Sequence, residues 1–164
     1  MFKKILKYGQ MEVTYQNRKT LISKPKLHNL FWETTLRCNA HCKHCGSRAG
    51  ENINLKDELT TEEITNALKN IASKCDTNEI LLNITGGEPL IREDLFDVMK
   101  LAKELGYRWG MTTNGMLITD DIIKKMKETE MDSISVSLDG LENSHDEFRG
   151  VKGSYSKIIS NIKK

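Results

Sequence analysis

Two spacings of apolar residues alternate along this chain, and each change from one to the other marks an element boundary. From Ser133 to Asp139, Ile134, Val136 and Leu138 alternate with Ser133, Ser135, Ser137 and Asp139, the period of two that gives a strand one apolar and one polar face. Leu95, Val98, Met99, Ala102 and Leu105 keep helical spacing instead. On these signals the pattern predicts a strand over Leu30–Thr35, a helix near 61–75, a strand over Ile80–Thr85 and a helix near 93–105. It continues with a strand over Arg108–Thr113, a helix near 120–129, a strand over Ser133–Leu138 and a last helix from Ser154. Local chemistry supports the helix limits. Thr60 and Glu63 have capping-box spacing, Thr119 precedes Asp120 and Asp121, and Gly106 stands where a C-terminal cap is needed. Cys75 extends the stripe Ile64, Leu68, Ile71 and is expected to be a small buried hydrophobe.

Repeated strand–helix units imply an α/β fold with a parallel sheet and right-handed crossovers. Glu33, Thr35, Asn83 and Thr85 extend the polar face of the last strand to the first two. If the apolar faces meet the helices, the polar faces line an interior, as in a parallel barrel whose site lies at the C-terminal ends of its strands. Upstream of this pattern, Val13-Thr14-Tyr15 and Thr20-Leu21-Ile22 flank Gln16-Asn17-Arg18-Lys19 and read as a small hairpin, and Pro25 then punctuates the chain. Residues 1–26 are therefore expected to be an N-terminal extension and residues 27–164 the main domain.

Composition narrows the partners. With 25 Lys and Arg against 23 Asp and Glu in 164 residues, net charge argues neither for nucleic acid nor for a membrane surface. Charges interrupt the basic start before a signal peptide develops, and no stretch suits a bilayer span, so the cytoplasm is the expected location. Three of the four cysteines fall within eight residues, which suits a metal site rather than the scattered pairs of a secreted disulfide scaffold.

That cluster, Cys38-Asn39-Ala40-His41-Cys42-Lys43-His44-Cys45, directly follows the first strand. Three thiolates on one loop suit an iron–sulfur cluster, and a four-iron cluster with three protein ligands keeps one iron open for an exogenous ligand. Structural zinc is the alternative, with His28, His41 or His44 as the fourth ligand. Zinc sites usually carry two separated ligand pairs, and no second cysteine pair is present.

Four segments in order then resemble the radical S-adenosylmethionine (SAM) superfamily. They are Cys38-x3-Cys42-x2-Cys45, Gly86-Gly87-Glu88-Pro89 after the second strand, Thr113-Asn114-Gly115 after the third, and Ser137-Leu138-Asp139-Gly140 after the fourth. His145-Asp146-Glu147-Phe148-Arg149-Gly150 resembles a segment of members that modify peptides or act in tetrapyrrole and quinone cofactor synthesis. The resemblance covers about residues 28–164. It implies a 4Fe-4S cluster on Cys38, Cys42 and Cys45, and S-adenosylmethionine held by backbone at Gly86 and Gly87. Glu88 would add a carboxylate facing the ammonium group, His44 a ring against the adenine base, and Asn114 and Ser137 polar groups for the ribose or carboxylate. For Asn114 and Ser137, local turn hydrogen bonding is the competing reading.

By the same resemblance, the open iron chelates the amino and carboxylate groups of S-adenosylmethionine. An electron from a flavodoxin- or ferredoxin-type donor then yields a 5'-deoxyadenosyl radical, which abstracts hydrogen from a peptide or small-molecule cofactor precursor. The family core has six strand–helix units in a partial parallel (β/α) barrel, and about four are legible here. The expectation is a truncated core or a fragment completed by another polypeptide, prone to associate through an open barrel edge. A non-catalytic cluster-binding protein and a zinc-stabilised interaction module are the alternatives.

Overall fold

Four parallel strands lie side by side in chain order in the computed structural model, which describes residues 2–23, 25–50, 56 and 58–164. They are β1 (Asn29–Glu33), β2 (Leu81–Thr85), β3 (Arg108–Thr113) and β4 (Ser133–Val136). Six helices are described: α1 (Phe2–Ser23), α2 (Thr61–Ala72), α3 (Leu95–Glu104), α4 (Asp120–Glu128), α5 (Glu142–Arg149) and α6 (Ser154–Asn161). A helix separates each strand from the next, which is the connection that a parallel pairing requires. No helix among the described residues is long and apolar enough to cross a membrane.

The register sets Trp32 beside Ile84, Ile84 beside Met111, and Met111 beside Ile134. One face of the sheet is therefore continuous apolar surface, with Leu82, Ile84 and Trp109 fully buried. Ile64 and Leu68 of α2, Leu95, Val98, Met99 and Ala102 of α3, and Met126 of α4 close over it. Two buried polar groups are satisfied within this core: Tyr107 donates its hydroxyl to Leu68 O at 2.8 Å, and Trp109 its indole N–H to Thr129 O at 2.8 Å. The opposite face carries Glu33, Asn83, Thr85, Thr112 and Ser135, with Phe31 breaking the polar pattern in a largely exposed position. The expected split into an apolar and a polar face is thus real. At the edge strand β4, Ile134 remains 40% exposed.

The predicted caps are in place. Thr60 and Glu63 form the reciprocal capping box of α2, Thr119 accepts from Ile122 N at the start of α4, and Gly106 takes φ +83 just past α3. Two expectations are corrected. The hairpin over Val13–Ile22 is part of α1, where Thr14 and Thr20 donate their hydroxyls to Gln10 O and Gln16 O one turn back. Those bonds satisfy the two threonine hydroxyls within the helix. Cys75 is exposed rather than buried, because α2 ends at Ala72 with Ser73 as its cap and the next residues turn away. Helix α5, which the sequence pattern did not predict, holds His145–Arg149 of the His145–Gly150 motif.

Pairing between β1 and β2 continues beyond the strands. Thr34 N donates to Thr85 O (2.9 Å), Gly87 N to Thr35 O (2.7 Å) and Glu88 N to Arg37 O (2.9 Å). This extension leaves no room for side chains on the second segment. A Cβ on Gly86, whose φ is +135, would stand 2.5 Å from Thr35 O, and one on Gly87 would run into Arg37 O. Both glycines are required by the chain's own backbone, before any ligand is considered.

Two stability predictions follow from this packing. Leu82→Ala, in a fully buried position on a central strand, should cost about 2–5 kcal/mol in urea unfolding. Gly86→Ala should cost about 2 kcal/mol or more, by backbone strain plus contact with Thr35. Equal unfolding midpoints for parent and Gly86→Ala would show that the β1–β2 extension gives way freely.

Candidate functional site

All four loops at the C-terminal ends of the strands meet around one cavity of about 230 Å³. The β1 loop brings Cys38, Cys42, His44 and Cys45, the β2 loop Gly86 and Gly87, the β3 end Thr112, Thr113 and Asn114, and the β4 end Ser137; Arg149 enters from α5. Parallel strands carry their loops out at the same end of the sheet, so residues distant in sequence are gathered without any long-range turn.

The three predicted cysteines share this cavity, and each sulfur receives at least one N–H donor. Asn114 Nδ2 approaches Cys38 Sγ at 3.9 Å, Arg149 approaches Cys42 Sγ at 3.4 Å through a terminal guanidinium nitrogen, and Ala49 N approaches Cys45 Sγ at 3.3 Å. Donors aimed at sulfur suit thiolates, whose negative charge a metal centre demands. Burial pushes the Cys38 thiol up from its ordinary range, and the negative groups Glu88 and Cys42 add to this, so binding a metal there must displace its proton. Among the described residues, no three His, Cys, Asp or Glu side chains converge closely enough to hold a single metal ion. Of the histidines named as possible zinc ligands, His28 lies against Glu79 O and His41 is exposed with its backbone N–H on Arg149 O, while His44 lines the cavity.

The other predicted residues divide. Gly86 and Gly87 line the cavity with backbone. Glu88 does not present a free carboxylate to it. The side chain is fully buried, with one oxygen accepting from Thr113 Oγ1 (2.8 Å) and Leu90 N (3.2 Å) and the other from Asn114 N (2.8 Å). Burial pushes this carboxyl above its usual range in spite of those donors. Glu88 thus ties the β2 loop to the β3 loop, and the expectation that it faces a ligand ammonium is corrected. Asn114 is also committed locally, donating to Asn39 Oδ1 at 2.7 Å and accepting from Met116 N at 3.0 Å. Ser137 lines the cavity, its backbone N–H on Thr113 O. His44 lines it too, while its ring stacks on Phe148 with centroids 4.6 Å apart.

The segment His145–Gly150 accounts for much of how the cysteine loop is held. His41 N donates to Arg149 O and Lys43 N to Phe148 O, both at 2.9 Å, so the loop docks on the C-terminal carbonyls of α5. Lys43 pairs with Glu147 at 2.6 Å, Arg149 with Asp139 at 2.5 Å, and Gly150, at φ +66, would strike His41 O with any Cβ. His145, fully buried, accepts from Asp139 N through Nδ1. Asp146 caps α6 by accepting from Gly153 N, the Ser154 hydroxyl and Tyr155 N, and those donors, the Tyr155 N–H foremost, hold its carboxyl below the usual range. Sequence reasoning had named Arg149 only as part of the His145–Gly150 segment and had not singled out Thr112 or Ala49. The period-two pattern put Thr112 on the polar face, but nothing local marks Ala49, whose role is a backbone N–H.

Known proteins can be set beside this geometry. Residues 32–164 match the radical SAM superfamily. The chain is 34% identical over 157 residues to the Fe-coproporphyrin III synthase of Methanosarcina barkeri, covering 96% of this chain and 38% of that protein. It is 31% identical over 134 residues to the pre-heme d1 synthase of Dinoroseobacter shibae, covering 82% of this chain and 32% of that protein. The chain therefore spans less than half the length of these curated relatives. In fold it is similar to native anSMEcpe with bound AdoMet, at a TM-score of 0.70 and 21% identity over 84% of this chain and 40% of that one. The matched segment takes in every loop around the cavity, and the chain belongs to the radical SAM superfamily.

Proposed function

We propose that Cys38, Cys42 and Cys45 hold a 4Fe-4S cluster and that the neighbouring backbone at Gly86 and Gly87, with Ser137 and the ring of His44, binds S-adenosylmethionine. The observation that carries this reading is the placement of three thiols, each with its own N–H donor, in one cavity with the Gly-Gly backbone. When bound, these two cofactors supply reductive cleavage of a carbon–sulfur bond and, through it, hydrogen abstraction from a substrate.

The chain's own part is binding and orientation. Gly86 and Gly87 offer a ligand bare backbone, with Thr112 and Thr85 on the polar sheet face beside them. Glu88 and Asn114 hold the loops that carry those groups, Glu88 by bonding to Thr113 and Asn114 and Asn114 by bonding to Asn39. No side chain in the cavity is required as a general acid or base.

For the substrate we propose a small-molecule cofactor precursor of the tetrapyrrole type in preference to a peptide. The Fe-coproporphyrin III synthase and the pre-heme d1 synthase are named for tetrapyrrole synthesis, and relatives 36% identical over 129 residues are named probable GTP 3',8-cyclases, so the names favour a small molecule over a peptide. Because the chain spans only part of those proteins, the activity is proposed for the whole protein, with residues 27–164 as radical SAM core. A low-potential one-electron donor of the flavodoxin or ferredoxin type would supply the electron. A cytoplasmic location suits a loop of free, closely spaced thiols.

Anaerobic reconstitution tests the reading directly. About four irons and four sulfides per chain are expected, and Cys38→Ala, Cys42→Ala and Cys45→Ala should each lose the cluster while Cys75→Ala keeps it. Zinc without sulfide would replace the radical chemistry with a structural metal site. A full cluster that forms no 5'-deoxyadenosine from S-adenosylmethionine under strong reductant would make the protein a non-catalytic binder.

A further inference from the structure

Arg149 is an unusual group to find against a thiol. Its side chain is 12% exposed, and the guanidinium bridges two residues: a terminal nitrogen donates to Cys42 Sγ at 3.4 Å, and Nε lies 2.5 Å from Asp139 Oδ2. The contact with Asp139 is an ion pair rather than an aligned hydrogen bond, since Nε has no acceptor in hydrogen-bonding geometry. Asp139 is itself held, its backbone N–H on Nδ1 of the buried His145. Helix α5 fixes the other side, because Arg149 O accepts from His41 N and Phe148 O from Lys43 N, the residues on either side of Cys42. The guanidinium therefore cannot swing away without breaking an ion pair, and Cys42 cannot withdraw without breaking two backbone bonds.

A cation fixed beside a cluster sulfur favours the more negative, reduced form of that cluster, and an N–H donor to the sulfur acts in the same direction. The Asp139 carboxylate opposes this, but in this geometry the cationic end of the pair faces the sulfur. Such an ion pair acts on the cluster as an oriented dipole. We propose that Arg149 is a positioning residue that raises the reduction potential of the cluster through Cys42, and that Asp139 both orients it and moderates its charge. The proposal rests on the reading of Cys42 as a cluster ligand.

The test is a redox titration of the reconstituted protein without S-adenosylmethionine, followed by the electron paramagnetic resonance signal of the reduced cluster, with iron and sulfide counted in each sample. Arg149→Lys should keep a potential close to the parent's, Arg149→Gln should fall below both, and Asp139→Asn should rise above the parent, all with iron content unchanged. Opposite shifts from the two neutralising changes mark a charge effect, since loosening of the loop would move both the same way. Unchanged potentials, shifts of one sign, or iron lost from both Arg149 variants would overturn the proposal. If Arg149→Gln alone releases iron, Arg149→Lys and Asp139→Asn decide it: a parent-like and a raised potential support it, and any other pair overturns it. A parent that forms no iron–sulfur cluster would bring down the underlying reading as well, and is distinguished by the iron and sulfide count before any variant is titrated.

Discussion

The pairing of β1 with β2 does not stop where the strands stop, and the site depends on that continuation. Three backbone hydrogen bonds, from Thr34 N, Gly87 N and Glu88 N, carry the two chains side by side into their loops. They bring the root of the cysteine loop against the Gly-Gly segment at a separation that no Cβ could tolerate. A parallel pair cannot be closed by a tight turn, so the two loops have no covalent shortcut between them. Their relative position rests on this ladder and on the apolar core beneath, where Trp32 and Ile84 sit side by side.

From that junction the order spreads along the sheet. Glu88 reaches from the β2 loop to Thr113 and Asn114 at the end of β3, and Asn114 reaches back to Asn39 in the cysteine loop. The circuit returns to its starting loop through the side chains of Glu88 and Asn114 and the Asn114 backbone N–H. Leaving a buried carboxylate without its donors is costly, so the three donors around Glu88 bind the loops into one unit. Helices α5 and α6 support it from the far side. Asp146 joins those two helices, Ile158 packs with Cys38, Ala40 and Met116, and Asn161 donates to Gly115 O.

The electrostatics of the cavity follow from the same arrangement. Three thiols and a buried carboxyl lie close together, and burial and mutual repulsion both disfavour charging Cys38. Donors from Asn114, Ala49 and Arg149 offset that repulsion one sulfur at a time. Of these, only Arg149 carries full charge, and Asp139 balances it at once. A site built this way is prepared for an anionic sulfur set without accumulating unpaired charge in a half-buried cavity.

The parallel α/β order, the apolar and polar sheet faces, the caps at Thr60 and Thr119 and the cysteine triplet were all legible in the sequence. Each depends on neighbours within a few residues: alternation marks strand faces, a side chain three residues on closes a capping box, and spacing gathers thiols on one loop. The helical state of Val13–Ile22 was not legible, because its β-branched residues locally favour a strand. Nor was the exposure of Cys75, one turn beyond a helix end that periodicity places only loosely. Glu88 was read as facing a ligand because a carboxylate after two glycines has a suitable charge. Its actual partners, Thr113 and Asn114, come from the next strand, some 25 residues away. Arg149 met Cys42 across 107 positions. The sequence by itself therefore determined the elements and the candidate ligands, since those are local properties of the chain. Which polar group faces the cavity and which is used up in holding it was decided only by the tertiary structure, because a side chain's hydrogen-bond partners are chosen by packing between strands that the chain order alone does not bring together.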